Sequence, residues 1–125
     1  MKPSEIIKRS ASKMGQDPDR LIIAIHNIFA EGKGFAYSKN NSVLVLINIG
    51  DGNFETHLYS EDSPLKLSQS MIYFFNLIKK TQGIEVIYGD ADSPQIINLL
   101  KTLAKKEKTS VENPDKSGYN WMIRI

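Results

Sequence analysis

Glu55, His57 and Tyr59 alternate along Phe54–Ser60, a stretch that reads as a β-strand. Successive side chains on a strand point to opposite faces, so these three share one face. A carboxylate, an imidazole and a phenol in a row are the groups of proton transfer. Glu55 would deprotonate an amine directly or through water, and His57 would share that role. Tyr59 would act as an acid toward a leaving group. The plainer alternative is that the three form the more polar face of a half-covered strand. Directly after them, Ser60-Glu61-Asp62-Ser63-Pro64 turns the strand into a helix, with two acids and no glycine.

Composition limits the other chemistries. The chain has no cysteine, which excludes disulfides, thiolate metal sites and a cysteine nucleophile. With only His26 and His57, a His-rich metal site is not expected. His26 falls off the apolar stripe of its helix and reads as a boundary residue. The net charge of +2 is too small to argue for nucleic acid by itself. Lys101, Lys105, Lys106 and Lys108 crowd one segment, as a solvated helix end or as a candidate partner surface. Contact with nucleic acid is the sharper reading of those lysines. No aromatic residue interleaves with them, which argues against stacking on single strands. "GKGFAYSKNNS" lacks the Walker spacing of a phosphate loop.

The elements that position these groups follow from periodicity. Asp17-Pro18, Ser63-Pro64 and Ser93-Pro94 each place an N-cap residue type before a proline, and so mark helix starts. Helices are expected over about 4–14, 18–31, 64–80 and 94–106. Their apolar stripes run through Ile7 and Ala11; Leu21, Ile25 and Phe29; Met71, Phe74 and Ile78; and Ile96, Leu100 and Leu103. Strands are expected over 35–38, 43–49, 54–60, 84–88 and 119–125, with a further short one within 108–112. Val43–Ile49 is apolar on both faces and belongs inside a sheet. "GDGN" (Gly50–Asn53) is a hairpin turn. Trp121 is read as alternating with Tyr119 and Ile123 on one strand face, against a helix or toward a partner. The order α-α-β-β-β-α-β-α-β-β calls for an α/β fold with a mixed sheet and helices on both faces. At 125 residues, 41% hydrophobic and 24% charged, the whole chain (1–125) reads as one domain with a core of its own.

This order resembles the GNAT-type acyltransferase fold without that fold's first strand. "IEVIYGDADSPQIINLLKTL" resembles that family's fifth strand and following helix, and "FETHLYSEDSPLKLSQSMIYFF" its fourth strand and third helix. Overall texture is most similar to small acetyltransferase-like proteins of tailed bacteriophages, some of them virion or head-assembly proteins. The resemblance implies acyl-CoA binding where the fourth and fifth strands splay, with the diphosphate on the third helix N-terminus. Mapped on this chain, the cofactor would touch Ser60, Ser63, Leu65 and Ser68. The family's glycine motif is missing there, and Pro64 removes a donor. Leu100 stands where the family's tyrosine acid would be. Glu61 and Asp62 are expected to complement the helix end and repel a diphosphate. A unit-charge pair at ~4 Å is worth about 1 kcal/mol in water and about 4 at a dielectric of 20, against about 8 for micromolar binding.

The resulting expectation is a non-catalytic GNAT-like structural or assembly component of a phage virion, with protein partners and no cofactor. The alternative is an active N-acetyltransferase using acetyl-CoA with Glu55 as general base. The N-terminus lacks the apolar core of a signal peptide, and no apolar run reaches bilayer length. No membrane association is expected, and the expected location is a virion or the cytoplasm.

Overall fold

The computed structural model describes residues 1–125. Two helices, α1 (Pro3–Lys13) and α2 (Pro18–Ala30), precede three strands, β1 (Gly34–Lys39), β2 (Ser42–Gly50) and β3 (Asn53–Ser60). Then come α3 (Pro64–Lys80), β4 (Val86–Gly89), α4 (Pro94–Lys106), β5 (Val111–Glu112) and β6 (Trp121–Arg124). The six strands form one mixed sheet in the order β1-β2-β3-β4-β6-β5. Only β3 and β4 pair in parallel, as the α3 crossover between them requires.

All four helices begin with proline at the first position or the second. Only one has the expected side-chain cap: Asp17 Oδ1 accepts from the N–H groups of Asp19 and Arg20. Ser63 and Ser93 make no such bond, so α3 and α4 start without a side-chain cap. The β2–β3 turn is built from Asp51 and Gly52, both at positive φ, and this geometry favours such residues.

The sheet is covered unequally. On one face, Phe74, Phe75 and Ile78 of α3 and Leu100 and Leu103 of α4 close over Leu44, Leu46, Phe54 and Ile87. Each such side chain contributes about 1.5–3 kcal/mol by leaving water. On the other face, Ile6, Ile7 and Ile25 pack on Val43, Val45 and Tyr59. That cover serves β2 and β3. The same face of β4 and β6 carries Val86, Tyr88 and Met122, with Tyr119 packed against them.

The C-terminal strand is shorter than its alternation suggests, and the expectation for its aromatics is corrected. Trp121 and Ile123 share the main core, whereas Tyr119 lies before the strand and packs against Tyr88 on the opposite side. Trp121 is buried, at 6% exposure, and does not face a partner. A Cβ at Gly89 would overlap its indole ring, so glycine at that position is what admits the tryptophan.

Candidate functional site

β3 and β4 are in register for three residue pairs, Asn53 to Glu55 against Val86 to Tyr88. The last link between them is a bond from Thr56 Oγ1 to the Tyr88 carbonyl, at 2.9 Å. Beyond it the strands part and leave a cavity of about 460 Å³. That volume falls within the roughly 300–1,000 Å³ of small-molecule sites. Thirteen of its nineteen lining residues are hydrophobic, so its body suits an apolar ligand. Thr56, Leu58 and Ser60 line it from β3, Gly89 to Asp92 from the end of β4, and Trp121 from β6. Ser10 and Met14 reach it from α1. It lies outside the carboxyl ends of two parallel strands, where open α/β sheets bind ligands.

The starts of α3 and α4 follow directly from those two strand ends. The two acids before α3 are held by other partners. Neither caps the helix. Glu61 pairs with Lys13 at 2.5 Å. Asp62 is turned inward and accepts from Asn41 N–H (3.0 Å), Ser42 Oγ (2.6 Å) and Ser70 Oγ (3.3 Å). Ser42 and Ser70 are fully buried. Ser60 Oγ joins the network, sharing a 2.6 Å bond with Ser42 Oγ and accepting from Asp62 N–H. The turn is thereby stitched to the β1–β2 hairpin. Of the mapped cofactor residues, Ser60 is engaged in this network and Ser63 is exposed. Leu65 is 71% exposed, and Ser68 is half-buried.

Glu55, His57 and Tyr59 do share a face, but not the one that lines the cavity. Glu55 Oε1 is 3.5 Å from His57 Nε2. Tyr59 is separated from that pair by burial in the apolar cluster under α1 and α2. Its phenol is raised above the usual range by burial and then by the charge of Asp90. The phenol that does reach Glu55 is Tyr119, which donates to Oε2 at 2.6 Å. Burial, and after it the Glu55 carboxylate, pushes Tyr119 up to about 12. Tyr119 therefore remains a donor at neutral pH and fixes one carboxylate oxygen, leaving Oε1 toward His57. Beside them Tyr88 donates to Asp115 Oδ1 at 2.7 Å; burial and this bond raise Tyr88, and the bond lowers Asp115. Glu55 and His57 thus lie side by side on a partly open sheet face, with Glu55 Oε2 held by Tyr119.

Sequence reasoning missed Tyr119, Asp90 and Asp92. The last two had a visible signal, since "GDADSP" joins an expected strand to an expected helix start. Tyr119 had none, because its contact depends on 64 intervening residues folding back. Lys101, Lys105, Lys106 and Lys108 are all exposed, and none forms an ion pair. His26 is exposed. No group of three or more metal-ligating side chains is present, and no helix is long and apolar enough to cross a membrane. Comparison with protein-family models, curated proteins and solved structures finds no match.

Proposed function

We propose that the chain is a GNAT-like module that retains the strand splay of that fold but has turned its diphosphate-binding turn to structural use. On this reading it is a non-catalytic structural or assembly component, of the kind that tailed-phage virions contain. The observation that carries the proposal is the Asp62 network. A turn whose carboxylate serves three donors of its own scaffold does not wrap a diphosphate without breaking those bonds. Glycine-free sequence and Pro64 act in the same direction. The splay between β3 and β4 and the single parallel pair support the resemblance of layout, which is an analogy of fold and not of chemistry. Titration with acetyl-CoA, followed by calorimetry and thermal shift, is expected to show no micromolar binding. A clear shift at micromolar cofactor would overturn the reading. For the assembly role, the chain is expected as a stoichiometric component of purified particles, and its absence from them would remove that role.

The competing reading is an N-acetyltransferase with Glu55 as general base. It is favoured by the fixed Glu55 carboxylate between Tyr119 and His57. It requires acetyl transfer to some member of an amine panel, abolished by Glu55→Gln. No turnover together with no cofactor binding excludes it.

A further inference from the structure

The cavity between β3 and β4 has an apolar body and an acidic lip. Its only charged lining residues are Asp90 and Asp92, on the loop between β4 and α4. No lysine, arginine or histidine lines it. Both aspartates are exposed, and neither takes part in any of the protein's ion pairs. Asp90 adds to burial in raising Tyr59, and is the last of several causes that raise Tyr119, after burial and Glu55. Trp121 is 94% buried by its 6% exposure, lines the cavity, and has an indole N–H without an acceptor. That N–H lies beside Gly89, and the ligand proposed below meets the indole through its apolar chain.

We propose that this cavity binds a linear aliphatic amine, its chain between the splayed strands and its ammonium at Asp90 and Asp92. Charge decides the class of ligand. An apolar chain with a carboxylate or phosphate head would bring like charge to two carboxylates that have no ion-pair partner and already complement the positive start of α4. A neutral chain would fill the body and leave the lip unused. An ammonium head gains attraction from both aspartates while it stays hydrated at the opening, where opposite charges attract without a large desolvation cost. The amine occupies the strand splay itself and needs neither a diphosphate site nor Glu55. It therefore stands apart from the reading above, and acetyl-CoA plays no part in its test.

Trp121 is the only tryptophan, and it sits in the cavity wall, so its fluorescence reports occupancy. The experiment titrates decylamine, decanol and decanoate into the intact protein at neutral pH, below their aggregation limits. Tryptophan emission and thermal shift are the two readouts. Decylamine is expected to give a saturable change in both, with decanol weaker and decanoate weakest. The double variant Asp90→Asn/Asp92→Asn changes two exposed side chains and is expected to fold. It should weaken decylamine by roughly tenfold, the size expected of two partly screened charges, and leave decanol unchanged. Decanoate binding as tightly as decylamine would overturn the proposal. So would equal decylamine affinity in the double variant, or no saturable response in either readout.

Discussion

Replacing Asp62 by alanine tests whether the turn before α3 is held by its carboxylate. The substitution removes the acceptor of the Ser42 hydroxyl at 2.6 Å and of the Asn41 N–H at 3.0 Å. Ser70 keeps a second acceptor in the Lys39 carbonyl, so its loss is small. Asn41 is half-buried, and water replaces its partner in part. The main loss is the short bond from buried Ser42, and hydrogen bonds to charged groups contribute about 1.5–3 kcal/mol. With a smaller contribution from Asn41, the expected destabilisation is about 2–3 kcal/mol. For 125 residues at ~2.1 cal/mol/K each, that lowers Tm by roughly 8–11 °C. Urea and thermal unfolding of Asp62→Ala measure it directly, and Asp62→Asn should fall about halfway because one oxygen acceptor survives. A double-mutant cycle with Ser42→Ala should show coupling of about 1 kcal/mol or more. A loss below about 0.5 kcal/mol, the range of ordinary surface changes, would refute the tether, as would strict additivity in the cycle.

Asp17→Ala should cost about 1 kcal/mol in denaturant melts through loss of the α2 cap, whereas Ser63→Ala and Ser93→Ala, which remove no cap bond, should be near neutral. Gly89→Ala forces the indole of Trp121 out of place and should cost about 1–3 kcal/mol, with a red shift of the single tryptophan's emission as it gains water. Tyr119 sits at about 12 in the folded chain against 10.0 for the free phenol, so the folded form holds this proton more tightly. The contribution is complete below pH 10.0 and declines as pH rises toward about 12. Urea midpoints across that window should fall less steeply in Tyr119→Phe than in the parent; identical slopes would contradict the link.

Elements were legible where local signals were complete. α3 and α4 begin and end where their prolines and lysines place them, since amphipathic spacing and proline act within a few residues. The hairpin at Asp51-Gly52 was equally plain, because positive φ selects its residues. β6 was overextended because alternation continues through Tyr119 while the backbone does not. The inward bonds of Asp62 were not legible for a related reason. An acid before a helix reads as complementing its positive end, and only the return of the β1–β2 hairpin, 20 residues earlier, brings Ser42 to it. The Glu55–His57 pair was visible as neighbours on one strand face. Their partner Tyr119 and the cavity behind them are products of strand order, which no local pattern encodes.

The brevity of the β3–β4 ladder divides the sheet mechanically. One part holds α1, α2 and β1 to β3, and the other β4 to β6 with α4. Across the sheet the seam has three residue pairs, the N–H groups of Glu85 and Val86 on the Gly52 carbonyl, the Thr56 hydroxyl and the Tyr119–Glu55 bond. Pulling the two parts slightly apart would enlarge the opening without unravelling either one. Amide protons along Val86–Gly89 should accordingly exchange by a cheaper route than those of β2, which is laddered to β3 along its length and to β1 over Ser42–Ile47.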